Sequence, residues 1–354
     1  MDKIINTLPC SGKNSRLKSF DLLRSYAIFL VLWGHTIQYF LSSVYYEEPV
    51  YRFIYSFHMP LFMMISGFFS VSSISLNIVQ FVKKKSLQLL LPSFSWGVIL
   101  WIWHTCYSFC QNGVLCFDLC HLMLILLFEF WFLKSCFLCY LLAFCGINFI
   151  RGQYAWVLLT LLVSQFIPFF QMWIMYPCFV LGFMLRKNSV FLSHIRKYNM
   201  LYAFLFIIMH CFWNRSFWIY DYSLYDVIIG LVNSQYFPFY LWGYRIYRLA
   251  IGVVGCFFFI GLFLKIQNNL NNIFVNWGCV IGRYTLEIYV LQLIIIESIL
   301  SCYLNFDNQN FYFYNFIIAP LISIFFLVIS IGIVKLIQRS FVLGFLLFGK
   351  SISN

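Results

Sequence analysis

An arginine and a histidine stand eleven residues apart in the segment Phe20–Thr36, FDLLRSYAIFLVLWGHT. On an α-helix, eleven residues rise about 16 Å and close almost a whole number of turns, so Arg24 and His35 share one face. The guanidinium then marks the charged end of a membrane helix, with the imidazole about three turns deeper. A titratable side chain inside a bilayer is costly, and it marks a candidate functional site. A neutral imidazole there can take a proton from a hydroxyl or carry an acyl group itself. These residues alone leave a second reading equally open: an arginine snorkelling at the boundary and a histidine hydrogen-bonded to a neighbouring helix.

Other stretches carry candidate chemistry. Ser56–Phe69, SFHMPLFMMISGFF, places His58 two residues before Pro60. A proline kinks a helix past its first turn, and a kink beside His58 opens room for a substrate; Ser66 and Gly67 permit close helix packing. An ordinary kinked helix with an interfacial histidine fits the same residues. The run Lys83-Lys84-Lys85 leads through Gln88 to Pro92. It reads either as a topology determinant or lipid contact, or as a holder of phosphates. In Gly282–Gln292, GRYTLEIYVLQ, Arg283 and Glu287 are spaced to pair across one turn, with Tyr289 and Gln292 projecting further in. Trp131-Phe132-Leu133-Lys134 reads as an interfacial aromatic belt with a snorkelling lysine, or as a substrate contact. His104, His121, His194 and His210 have no evident partner in sequence and read as interfacial or structural.

The elements that must position these residues follow from composition. Of 354 residues 63% are hydrophobic and only 10% charged, whereas soluble domains carry about 25% charged residues. Repeated apolar runs near 20 residues long then specify an all-α polytopic membrane protein. We place ten spans, near 22–44, 52–72, 87–108, 131–149, 153–170, 172–186, 199–219, 244–266, 283–304 and 315–338, with both termini cytoplasmic. Residues 114–129 and 224–241 are apolar but interrupted, and read as re-entrant or interfacial segments on the outer side. In domain terms, residues 1–19 are a cytoplasmic tail, 20–340 the transmembrane domain and 341–354 a short C-terminal tail.

Charge supports this topology independently. Of the 23 basic residues only five, Arg52, Lys134, Arg215, Arg245 and Arg248, fall on the outer side, together with seven of the eleven acids. That is a strong positive-inside bias. The net charge of +12 therefore reflects topology and implies no nucleic-acid partner; membrane lipids are the expected surroundings. Thirteen cysteines are scattered through apolar runs, where cysteine behaves as a small hydrophobe, and imply neither disulfides nor a metal site.

The order of these motifs resembles the acyltransferase-3 family of integral membrane acyltransferases. Arg24 and His35 on the first helix, FHMPLF at 57–62, a basic segment closing on Pro92, WFL at 131–133, YPCFVLGF at 176–183 and GRYTLEIYVLQ at 282–292 carry the resemblance over about residues 17–340. It implies transfer of an acyl group, acetyl above all, from cytosolic acyl-CoA to a hydroxyl of an extracytoplasmic polysaccharide or its lipid-linked precursor, at a bacterial inner membrane. Acetyl-CoA enters as co-substrate, with no bound cofactor. The resemblance assigns transfer to His35 and acyl-CoA handling to Arg24. The family often has an Arg-x-x-Arg pair where this chain has Lys85 and Gln88, so Lys84 and Lys85 stand as candidate phosphate partners. His58, Trp131, Glu287 and Tyr289 are candidates for the substrate pocket. Gln292 stands where many members have a histidine, and no acid–base role is expected of it. The competing reading is a transporter or flippase of a glycan intermediate, which would show inverted repeats and paired interrupted helices; neither is visible. The acceptor sugar, the acyl chain and the oligomeric state are not legible in the sequence.

Overall fold

A computed structural model describes residues 17–41, 45, 48–113, 117–152, 154–213, 239–266, 273–307 and 310–350, and among them there are helices and no strands. The segment carrying Arg24 and His35 is a single helix, α1, Lys18–Phe40. Asp21 lies in its first turn, where a carboxylate complements the helix dipole. α2, Pro49–Phe68, opens on a proline, which costs a helix nothing at its first position, and contains Pro60 inside. α3 runs from Ile78 to Asn112, with a π-helical stretch at Ser86–Leu90. The Asn77 side chain caps its start, accepting from the Gln80 backbone N–H at 2.9 Å.

The chain continues through α4 (Leu119–Phe128), α5 (Trp131–Phe149), α6 (Ala155–Phe166), α7 (Met172–Lys187), α8 (Ser189–Lys197) and α9 (Asn199–Cys211). After these come α10 (Phe239–Ile266), α11 (Ile273–Ile281), α12 (Thr285–Cys302), α13 (Tyr314–Ile337) and α14 (Phe341–Phe348). α12 is irregular: regular to Gln292, π-helical over Leu293–Ile299 and 3-10 at its end.

Five of these helices, α3, α5, α12, α13 and the Gly243–Ile266 part of α10, are long and apolar enough to cross a membrane. The ten expected spans each meet a helix, but they differ in kind. α1 and α2 have 23 and 20 residues and are more polar than those five. They can be, because they pack inside the protein rather than against lipid. α6 and α9, with 12 and 13 residues, rise only about 18–20 Å, short of a hydrocarbon core of about 30 Å. The interrupted segment 114–129 contains α4, capped by Asp118, whose carboxylate accepts from the His121 backbone N–H at 3.1 Å. The other interrupted segment lies almost wholly outside the described residues.

α2 and α7 make the tightest crossing. A Cβ on Gly67 would collide with the Phe179 carbonyl, and one on Gly182 with the Met64 carbonyl. The two backbones therefore touch through reciprocal glycines, the small-residue contact that lets membrane helices approach. α10 packs along α2, and α1 lies against α2, α11 and α13. Three cations that the charge count places on the outer side are in fact buried: Lys134, Arg245 and Arg248 are 7%, 5% and 5% exposed. The Lys134 ammonium is held by the Glu129 carbonyl, and Arg245 lies over the Trp173 ring at 4.6 Å.

Candidate active site

α1, α2, α10, α12 and the turns that open α5 and α7 enclose a cavity of about 630 Å³. His35 stands in its wall. Its Nδ1 lies 3.2 Å from Oε1 of Glu297, within ion-pair distance. Glu297 is placed there by the π-helical stretch of α12, and Gln292 donates to the same carboxylate oxygen at 3.0 Å. The two residues are five apart, the repeat of π-helical bonding. The His35 ring also stacks on Tyr39, with centroids 5.8 Å apart.

Opposite His35, α2 presents Tyr51, Tyr55 and His58. The Tyr55 hydroxyl donates to Gln38 on α1 at 2.6 Å, and its ring meets His35 edge-on at 6.1 Å. His58 Nδ1 lies 2.8 Å from the Ile54 carbonyl. A carbonyl only accepts, so Nδ1 carries the proton and Nε2 of neutral His58 is an acceptor. The residues opening α5 and α7, Phe130 and Gln171, have φ of 53° and 52°. Side chains at such left-handed positions carry strain, which clusters at functional sites. Here the two turns aim Trp131 and Gln171 into the cavity wall.

A second cavity, about 160 Å³, adjoins the first and shares Met59 and Tyr289 with it. Its lining includes Arg24, Ser66 and Cys136. Arg24 is half-buried, 3.7 Å from the Asp21 carboxylate and 4.5 Å above the Phe69 ring. Arg24 and His35, aligned on α1, thus line two adjoining spaces.

The sequence candidates divide accordingly. His35, His58, Trp131 and Tyr289 converge on the large cavity, and Arg24 on the small one. Lys84 is exposed. Lys85 is buried, 3.6 Å above the Tyr140 ring, and donates to Gln88 at 3.3 Å. Tyr140 in turn donates to the carbonyl of Ser66, a residue of the small cavity, at 3.1 Å. Glu287 lines neither cavity. Its partners are Lys350 and Gln338 rather than Arg283, which is exposed. Sequence reasoning missed Glu297, Gln38, Tyr55 and Arg248, and set Gln292 aside. Glu297 and Arg248 had a usable signal, as charged residues inside apolar runs.

A sequence model described as an acyltransferase domain, of the acyltransferase-3 family, matches residues 17–336. Among characterised proteins, the nodulation protein NolL of Mesorhizobium japonicum is 33% identical over 136 residues, 37% of this chain and 36% of that protein. The nodulation protein NolL of Sinorhizobium fredii is 35% identical over 96 residues, 26% of either chain. The chain therefore spans little more than a third of the first relative's length and about a quarter of the second's. No solved structure matches.

Proposed function

Because this chain belongs to the acyltransferase-3 family, we propose that it is a multi-pass bacterial inner-membrane enzyme that moves an acetyl group from cytosolic acetyl-CoA to a hydroxyl of a cell-surface polysaccharide or its lipid-linked precursor. The observation that carries this reading is the His35–Glu297 pair in a cavity whose neighbour ends on Arg24.

The division of labour follows from chemistry. Acetyl-CoA brings a phosphorylated end and a thioester at the tip of a flexible arm. Arg24, with Lys85 close by, offers cationic contacts for the former. The thioester then reaches past Met59 and Tyr289 into the large cavity. Rings such as Tyr39, Tyr55 and Trp131, with Gln38 and Gln171 between them, suit a sugar, which has apolar ring faces and polar edges. Glu297, 3.2 Å from Nδ1, stabilises the imidazolium that forms, the part a carboxylate plays beside a general-base histidine. His35 Nε2 takes the hydroxyl proton as the oxygen attacks the thioester carbonyl. Collapse of the tetrahedral intermediate breaks the C–S bond, and the imidazolium returns the proton to the departing thiolate as CoA–SH. The products are an ester and a free thiol.

The test is His35→Gln, which keeps a hydrogen-bonding group of similar reach. Mass spectrometry of the surface polysaccharide should lose its acetyl ester while expression, detergent melting and acetyl-CoA binding persist. An active His35→Gln enzyme would remove the mechanism.

A further inference from the structure

Pro60 removes a donor from the middle of α2. In a regular helix, residue 60 would give its N–H to the Ser56 carbonyl; proline has none, and its ring presses on that carbonyl. An unpaired carbonyl away from water is costly. The donor comes from another helix. Arg248 on α10 is 5% exposed and points its guanidinium fork at this place. One nitrogen donates to the Ser56 carbonyl at 2.5 Å and the other to the Tyr55 carbonyl.

Everything around the fork fits it. Gly252, one turn further along α10, lets the helix close on the proline: a Cβ there would lie 3.1 Å from the Pro60 ring and 3.3 Å from the Ser56 carbonyl. His210 on α9 holds the Ser56 hydroxyl at 3.1 Å. The turn fixed in this way carries Tyr55 and His58, the groups that face His35 across the cavity.

We propose that Arg248 is a positioning residue of the transfer reaction: its guanidinium supplies the donors missing at Pro60 and thereby holds Tyr55 and His58 against His35. The proposal rests on the acyl-transfer reading above. It explains why a cation lies within the apolar span Gly243–Ile266. Arginine is suited to the place, since its rigid planar fork serves two adjacent carbonyls in one fixed geometry, whereas an ammonium on a flexible stem can donate to them without fixing their orientation.

The test combines melting and kinetics on the full-length protein in detergent. Melting temperatures are measured for wild type, Arg248→Gln, Pro60→Ala and the double variant. Alanine at 60 restores the backbone N–H, so Arg248→Gln should lower the melting temperature clearly in wild type and much less beside Pro60→Ala, a non-additive cycle. Turnover is then followed as CoA thiol released from acetyl-CoA, with polysaccharide extracted from cells lacking this protein as acceptor. Arg248→Gln should lower kcat by about 10²-fold, as a misplacement of about 1 Å does, with KM for acetyl-CoA unchanged. Arg248→Lys should recover the melting temperature but only part of kcat, and it carries the kinetic arm if the glutamine variant fails to fold. Additive melting effects, or an unaltered kcat per folded molecule in either variant, would overturn the proposal. A wild-type protein that turns over no acetyl-CoA would instead remove the acyl-transfer reading, and the melting cycle would still report on the Pro60 contact.

Discussion

The carboxylate of Glu297 and the imidazole of His35 approach to 3.2 Å across the interface of α12 and α1. This contact joins the π-helical stretch of one helix to another that is α-helical throughout. Glu297→Gln keeps the side-chain shape and removes the charge. The expected result is a loss of kcat of about 10²-fold or more, the range of general acid–base contributions, with KM for acetyl-CoA unaltered. Steady-state release of CoA thiol measures both constants. Wild-type turnover in Glu297→Gln would reduce the contact to packing.

Arg24 is expected to act on the donor alone. Arg24→Lys preserves the charge and loses the planar fork. It should raise KM for acetyl-CoA several-fold with kcat retained, and Arg24→Ala should raise it further. Kinetics indistinguishable from wild type in both variants would leave Arg24 as a partner of Asp21 and Phe69 only.

Gly182 tests the central crossing. Alanine there drives a methyl group into the Met64 carbonyl of α2. Overpacking of this kind costs about 1–3 kcal/mol. A lower melting temperature in detergent is expected, along with lower turnover, because α2 carries one wall of the large cavity. An unchanged melting curve would mean that the crossing relaxes freely.

Glu48, ahead of α2, gives a pH dependence outside the membrane spans. Burial pushes its carboxyl up from the ordinary value of 4.5 to about 7, against the lowering effects of its hydrogen bond from Asn315 and of Arg52. The folded protein then binds the proton more tightly than the unfolded chain. Stability is greatest below about 4.5 on this account and declines as pH rises towards 7. Melting temperature should fall across that window and fall less in Glu48→Gln. An equal slope in both proteins would assign the effect elsewhere.

Several features were legible in the residues themselves because local rules govern them. Apolar run length and sparse charge specify a bundle of membrane helices. A fixed spacing places Arg24 and His35 on one face of α1, and an internal proline beside His58 marks an irregular turn. The small residues at 66 and 67 announced a close crossing, which Gly67 makes. Those statements need only a helix and its repeat of about 3.6 residues.

What tertiary structure alone decided is where that repeat breaks or where distant helices meet. On a regular helix, Glu297 lies about 140° around from Gln292, off the face that carries Tyr289 and Gln292. The π-helical stretch Leu293–Ile299 rewinds the chain and brings Glu297 under Gln292, beside His35. Arg248 was read as an outer-side cation because charge counts assume that a basic residue near a helix end reaches water. Carbonyls of Tyr55 and Ser56 supply the polar contact instead. Glu287 had a plausible partner one turn away in Arg283, yet Lys350 takes it after the chain returns through α13 and α14. In each case the deciding partner comes from a distant helix or from a change in helical repeat, and neither leaves a mark in local sequence spacing.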